Sequence, residues 1–230
     1  MKLCVIPARG GSKRIPRKNI REFCGKPMIA WSIEAALASG CFDQVIVSTD
    51  DEEIASIAES FGAEVPFRRP ADLADDHTAT RPVVIHAIRE TEKHFGRTEY
   101  VCVIYPTAPL IQVADLQRGL EHLIAAKADF AFSVTSYAYP IQRALRLTSS
   151  GGVSMFQPQH RQTRSQDLEP AYHDAGQFYW GRAEAFLEGR QTFSGASVPI
   201  ILPRWRVVDI DTEEDWRQAE LLSCALQELV

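Results

Sequence analysis

The stretch Leu3-Cys4-Val5-Ile6-Pro7-Ala8-Arg9-Gly10-Gly11-Ser12-Lys13 constrains this chain more than any other, because an unbroken apolar run passes directly into a glycine-rich turn loaded with cations. Apolar runs without alternation belong to strands covered on both faces, so Leu3, Val5 and Ile6 predict a parallel strand inside an α/β layer structure. Gly10 and Gly11 permit a bend on which successive N–H groups converge on an anion. From Arg9 to Lys26, seven Lys or Arg residues stand against one acid, Glu22, a local charge of +6 in a chain whose formal charge is −5. Positive charge placed this locally suits a compact triphosphate. A protein that tracks a nucleic-acid backbone calls for a broader basic face, so no nucleic-acid partner is expected. The spacing matches neither the G-x-x-x-x-G-K-[ST] phosphate loop nor the G-x-G-x-x-G dinucleotide fingerprint, and a solvated basic loop stays open as the alternative.

The rest of the chain repeats the first motif's logic. Short apolar runs alternate with amphipathic stretches, the pattern of βαβ units and a mostly parallel sheet. Strands are predicted at 2–7, 44–49, 64–66, 100–105 and 131–135, with helices at 27–38, 51–61, 80–95 and 113–127. Ligands of such sheets sit beyond the carboxyl ends of the strands, where the Arg9 loop, the Ser48-Thr49-Asp50 turn and the Tyr105-Pro106-Thr107 turn emerge together. Residues 137–175 break the alternation: they are polar, punctuated by proline, and read as an inserted arm that reaches a neighbouring subunit. The sheet resumes at 177–180, 198–202 and 206–210, and the chain closes on a helix over 213–228, all within one domain spanning 1–230. Five cysteines with no C-x-x-C spacing support neither a disulfide framework nor a zinc knuckle. With no apolar run of membrane-spanning length and no leader pattern, the expectation is a cytoplasmic protein with no membrane partner.

Asp209-Ile210-Asp211 is the second site-like feature. At a strand end, a period of two puts both carboxylates on one face and Ile210 on the other. Mg²⁺ takes one or two protein carboxylates and completes its shell with water and phosphate oxygens, so Asp209 and Asp211 are the candidate metal ligands. Helix capping is the competing reading, because Thr212 and Asp215 fit a capping box. Arg9, Lys13 and Lys18 are candidates for neutralising charge on a transferring phosphoryl group, with Ser12 donating a hydrogen bond. Arg14, Arg17 and Arg21 read as solvated, and Asn19 either fixes the loop or touches the ligand. Arg69, Asp76, Thr78 and Thr80 form a polar block that reads a base or ribose, or, for the two threonines, caps the following helix. Arg164 could meet a sugar carboxylate in bidentate fashion, or lie on a merely polar connection.

Taken together, Ile6-Pro7-Ala8-Arg9-Gly10-Gly11-Ser12-Lys13, Pro16-Arg17-Lys18-Asn19, Val47-Ser48-Thr49-Asp50, Arg69-Pro70-Ala71, Tyr105-Pro106-Thr107-Ala108-Pro109 and Val208-Asp209-Ile210-Asp211-Thr212 resemble, in order and over nearly the whole chain, the cytidylyltransferases that make CMP-activated nonulosonic acids. The resemblance implies an α/β, Rossmann-like nucleotidyltransferase fold, a small dimerisation arm and a homodimer. It also implies CTP and a nine-carbon acidic sugar as substrates, with Mg²⁺ as cofactor. By it, Ala8, Arg9, Gly10, Gly11, Ser12, Lys13, Asn19, Arg69, Asp76, Thr78 and Thr80 hold the nucleotide; Tyr105, Arg164, Gln177 and Phe178 meet the sugar; and Arg9, Lys13, Lys18 and Asp211 carry catalysis. Tyr105 and the run Asp174-Ala175-Gly176-Gln177-Phe178-Tyr179-Trp180 depart from the sialic-acid branch and look like the pseudaminic acid branch. The expected reaction is therefore transfer of CMP to pseudaminic acid with release of pyrophosphate. The alternatives are the same chemistry on sialic, legionaminic or ketodeoxyoctulosonic acid, a non-catalytic nucleotide-binding protein, or a glycosyltransferase-like module using a finished sugar nucleotide.

Overall fold

A computed structural model describes residues 1–228. The opening apolar run forms strand β1 (Lys2–Pro7), whose Leu3 and Val5 face one side of the sheet and whose Cys4 and Ile6 face the other, all four buried. The next two strands are a two-residue ladder, β2 (Glu22–Phe23) with β3 (Lys26–Pro27), that turns the chain into helix α1 (Met28–Ala38). Two βα units follow: β4 (Gln44–Ser48) leads to α2 (Glu52–Ser60), and, after a long connection through α3 (Thr80–Phe95), β5 (Tyr100–Ile104) leads to α4 (Val113–Ala125). Strand β6 (Phe130–Ser136) precedes the arm, which carries the small hairpin β7 (Leu145–Leu147) and β8 (Val153–Met155). The chain then returns through β9 (Tyr172–Arg182), α5 (Ala183–Leu187), β10 (Ser197–Leu202) and α6 (Glu213–Glu228).

Six strands build the central sheet in the order β10-β6-β9-β5-β1-β4. Pairings of β1 with β4 and β5, and of β6 with β10, are parallel, and β9 runs antiparallel between β5 and β6. The fold is thus mixed α/β with a mostly parallel sheet, and both faces are covered by apolar layers, as the unalternated strands require. The layer under α4 is so close that a Cβ on Gly119 would lie 2.7 Å from the Trp180 ring. Five cysteines are all free thiols, and burial pushes those of Cys4 and Cys102 well above the ordinary value. Among the described residues, no helix is long and apolar enough to cross a membrane.

Three expectations need correction. Residues 64–66 make only a single bridge, Ile46 with Glu64, because Pro66 has no N–H to continue the ladder. Residues 172–175 belong to β9, with Tyr172, His173 and Asp174 paired to β6, so the arm proper ends before Tyr172. Residues 206–210 are not a strand: Arg206 closes a short turn after Pro203, and the chain beyond it leaves the sheet. Arg206 sets that departure by pairing with buried Asp115 on α4 at 2.7 Å.

Candidate functional site

A satellite core brings the two ends of the chain together. Ile15 from the cationic loop, Phe23 and Met28 from around β2–β3, and Ile210, Trp216 and Ala219 from the C-terminal end pack into one buried cluster. Phe23 meets Trp216 edge-on at 5.5 Å, and the Arg21 guanidinium lies 4.4 Å above the Trp216 ring while pairing with Glu213 at 2.5 Å. Burying side chains of this size is worth roughly 1.5–3 kcal/mol each, enough to hold two loops distant in sequence against each other. Ile210 thus turns inward, as period two predicts, although its partners are this cluster and not a sheet.

Of the two carboxylates flanking Ile210, Asp211 is the one that meets the loop's cations. Lys18 Nζ donates to the Ile210 carbonyl at 2.6 Å and lies 3.4 Å from Asp211 Oδ1, while Arg14 Nη1 lies 2.8 Å from Asp211 Oδ2. The Asp209 carboxyl is raised above its ordinary value by desolvation first and then by the neighbouring Asp211 charge. Capping falls to the next residues. Thr212 N–H donates to Asp215 Oδ2 at 2.7 Å, and Asp215 N–H donates back to Thr212 Oγ1 at 3.2 Å, a reciprocal box that leaves Asp211 free for the cations.

The loop itself is pinned at several points. Asn19 donates from its side chain to the Arg9 carbonyl at 2.9 Å, which is the loop-fixing role. Gly10 N–H donates to Asp50 Oδ1 at 3.1 Å, and Ser12 N–H donates to the Gly10 carbonyl at 3.0 Å. The expectation that successive N–H groups all converge on an anion is corrected accordingly: two of them are used within the protein. Arg17 adopts φ 55° and pairs with Asp51 at 2.5 Å and Glu53 at 2.5 Å. Arg14, Arg17 and Arg21 are therefore paired and not merely solvated.

Arg9 Nη1 donates to Asp76 Oδ1 and to the Asp75 carbonyl, each at 2.7 Å, and Lys13 pairs with the same Asp76 carboxylate. Those cations, Lys13 first, hold the Asp76 carboxyl below its ordinary value. Thr78 N–H and hydroxyl both donate to Asp75 Oδ1, at 2.6 and 2.9 Å, and the α3 N-cap is Ala79, so neither threonine caps that helix. Arg9, Ser12, Lys13, Lys18, Asn19 and Tyr105 line a cavity of about 210 Å³, and Arg14 and Ile15 complete its floor together with residues from the strand ends.

The remaining expected contacts divide. Ala8 is buried, and its N–H donates to the Ser48 carbonyl at 3.0 Å. Arg69 is buried, with its guanidinium donating to the Ser48 carbonyl and hydroxyl, and burial pulls it down to about 10. Its side chain thus ties the end of β4 to the Arg69-Pro70 turn. Tyr105 stands at the rim, its hydroxyl 3.4 Å from Thr80 Oγ1. Gln177 is buried and donates to the Arg206 carbonyl at 2.7 Å, while its Oε1 has no protein partner. Phe178 is 0% exposed in the core beside α4 and presents no surface to a ligand, so its placement among sugar contacts is corrected. Arg164 is exposed on the arm. Sequence reasoning missed the roles of Asp50 and Arg14, which depend on partners remote in the chain, and of Tyr179, which pairs with Val103 and Phe132 in the middle of the sheet.

A family profile described as Cytidylyltransferase matches residues 3–228. The chain is 48% identical over 220 residues to a pseudaminic acid cytidylyltransferase of Campylobacter jejuni, covering 96% of this chain and 95% of that one. It is 33% identical over 228 residues to a CMP-N,N'-diacetyllegionaminic acid synthase of Legionella pneumophila, covering 96% and 95%. In fold it is similar to a solved CMP:2-keto-3-deoxy-manno-octonic acid synthetase complexed with CTP, with a TM-score of 0.69 over 99% of each chain at 18% identity.

Proposed function

The chain belongs to the cytidylyltransferase family, and from that premise we propose that it transfers CMP from CTP to the anomeric hydroxyl of pseudaminic acid, releasing pyrophosphate. The observation that carries the reading is the meeting of Lys18 with Asp211: a cation that lines the loop's cavity and a carboxylate 193 residues away in the chain lie 3.4 Å apart. Pseudaminic acid bears two acylamino groups and ends in a methyl, where sialic acid ends in a hydroxylated chain.

Charge neutralisation and positioning dominate this chemistry. The triphosphate enters the 210 Å³ cavity and takes Arg9 and Lys13 from Asp76, which in the free protein stands where phosphate oxygens bind. Ser12 adds a hydroxyl donor on the same wall. Lys18, fixed by the Ile210 carbonyl and Asp211, holds the α-phosphate in line with the sugar hydroxyl. Asn19 and Asp50 keep the loop's shape while these exchanges occur. Asp209 and Asp211 suit a hard divalent cation. They are oxygen donors on one short extended segment, and the raised Asp209 carboxyl reflects in part a repulsion that a cation relieves. Asp209 and Asp211 would hold a Mg²⁺ ion, which would supply charge neutralisation for phosphate oxygens and a lowered pKa for the attacking hydroxyl.

The arm supports a homodimer. Leu145, Leu147, Val153 and Phe156 are exposed on and beside its hairpin, an apolar set that a second copy would cover, and Arg164 on the same arm would then serve the partner's sugar carboxylate. CTP is a cytoplasmic metabolite, and the reaction is assigned to that compartment. Pyrophosphate release from CTP and Mg²⁺, measured with pseudaminic, legionaminic, N-acetylneuraminic and ketodeoxyoctulosonic acids in turn, tests the reading. The highest kcat/KM is expected with pseudaminic acid, and absence of release with every sugar refutes it.

A further inference from the structure

The two acids flanking Ile210 are held differently. Asp211 has Lys18 and Arg14 against it, whereas among the described residues no donor bonds to the Asp209 carboxylate. The position of Asp209 therefore comes from the backbone on either side. Beyond it, Ile210 is buried in the satellite core and its carbonyl accepts from Lys18 Nζ at 2.6 Å. Before it, Val207 packs against the main core and Val208 against the satellite core. Arg206 anchors that nearer side. It is 9% exposed and fixed at both ends: its guanidinium lies 2.7 Å from Asp115 Oδ2 on α4, and its carbonyl accepts from Gln177 Nε2 on β9 at 2.7 Å. Both partners are themselves held. Asp115 Oδ1 accepts from Arg118 at 2.9 Å, and the Gln177 backbone is tied on two sides, its N–H donating to Ser133 Oγ at 3.2 Å and its carbonyl accepting from Tyr105 N–H at 3.0 Å. One residue thus fastens α4 and β9 to the start of the segment that carries the paired carboxylates.

We propose that Arg206 is a positioning residue for the divalent-cation site: held between Asp115 and Gln177, it fixes where the chain leaves the sheet and so where Asp209 stands relative to Asp211. The inference rests on the metal reading above, in which those two carboxylates hold the cation. A buried ion pair gives little net stability over apolar side chains of the same volume, because both charges lose their hydration. What it adds is direction. Apolar contacts tolerate sliding and rotation of a turn, whereas a charge-assisted pair and a hydrogen bond, each at 2.7 Å, do not. Mg²⁺ accepts little departure from octahedral geometry at short metal–oxygen distances, so a ligand carried on a loosened turn loses affinity. Removing a group that holds a metal ligand in place typically costs about 10–100-fold in metal affinity. Arg206 acts through the backbone and not on the carboxylate itself, which puts its expected effect at the lower end of that range.

The test is calorimetric titration of CTP with and without Mg²⁺, no sugar present, on the wild type, Arg206→Lys, Gln177→Leu and the double variant Asp115→Leu, Arg206→Met. The double variant removes both buried charges at once and leaves Arg118 bonded to the Ile201 carbonyl at 3.1 Å, so its melting temperature should stay at or above that of the wild type. Its affinity for CTP alone should stay within about twofold of wild type, while the factor by which Mg²⁺ tightens CTP binding should shrink about tenfold. Gln177→Leu removes only the donor to the Arg206 carbonyl and should shrink that factor about threefold. Arg206→Lys keeps a cation for Asp115 and should retain most of it. A merely structural role would move the melting temperature and leave the Mg²⁺ factor alone. A double variant whose Mg²⁺ factor stays within twofold of wild type overturns the inference while the metal reading stands; should that variant not fold, Gln177→Leu decides by the same criterion. If the wild type itself binds CTP no more tightly with Mg²⁺, the metal reading fails and this one with it.

Discussion

Substituting Gly10 by Ala tests how the cationic loop is held. A Cβ at that position would lie 2.7 Å from Asp51 Oδ2, 3.1 Å from Asp51 Cβ and 3.3 Å from Asp51 Cγ. Asp51 has little freedom to withdraw, because its Oδ1 caps α2 by accepting from Ile54 N–H at 3.0 Å and its Oδ2 pairs with Arg17 at 2.5 Å. Either the cap is lost, at about 1 kcal/mol, or the loop moves outward with overpacking strain of about 1–3 kcal/mol. A net cost of about 2 kcal/mol lowers the melting temperature of a domain this size by about 4–8 °C. Because the same movement carries Arg9 and Ser12 off the cavity wall, the KM for CTP should rise about tenfold. Gly11→Ala is the control for the close approach: its Cβ would meet no protein atom within 4 Å, and its melting temperature should stay near wild type. Thermal melts monitored by circular dichroism, together with CTP titrations of turnover, make the comparison. Equal behaviour of the two variants would show that the loop is not held by close approach to Asp51, and the reasoning would fail.

Three further outcomes are expected. Asp115→Ala leaves Arg206 as a buried cation without its 2.7 Å partner, and urea unfolding should show a loss of about 3–5 kcal/mol. Arg17 holds the Asp51 carboxyl below its ordinary value of 3.8, so that group's contribution to stability is complete above 3.8 and is lost as the pH falls through and below it. Asp51→Asn should flatten the acid limb of a stability-against-pH curve measured in urea, and an unchanged limb would contradict the linkage. Asp211→Ala should cut turnover by about 10²-fold or more while circular dichroism stays native, since the residue faces Lys18 and Arg14 and the capping box is left to Thr212 and Asp215.

Much of the fold was legible because it is written in local periodicity. The buried run in β1, the βα alternation and the capping box at α6 all follow from residues within a few positions of one another. Where the sequence misled, the deciding partner was remote. Val208 and Ile210 read as strand residues because they alternate with acids, yet the surface they pack on comes from Ile15 and Trp216. Arg17 and Arg21 read as solvated because their acids, Asp51 and Glu213, lie 34 and 192 residues away. In β9 plain alternation turns Tyr179 to a cavity beside Tyr105 while Phe178 enters the core with Trp180, and the irregular pairing with β6 brings Asp174, five residues earlier, to the same cavity. Of the site, the cations and the carboxylate pair could be named from residue type and spacing. Asp76 was legible only as a ligand contact, because its pairing with Arg9 and Lys13 requires the loop after α2 to fold back over β1.

The claim on which the account rests is that one cleft holds a divalent cation and the nucleotide's phosphates between the Arg9–Lys18 loop and the Asp209–Asp211 segment. Isothermal titration of CTP with and without Mg²⁺, on the wild type and on the Asp209→Asn, Asp211→Asn double variant, measures that coupling directly. The wild type should bind CTP at least about tenfold more tightly with Mg²⁺, and the double variant should show the same affinity in both conditions. A double variant whose CTP affinity rises with Mg²⁺ as much as the wild type's would contradict the account.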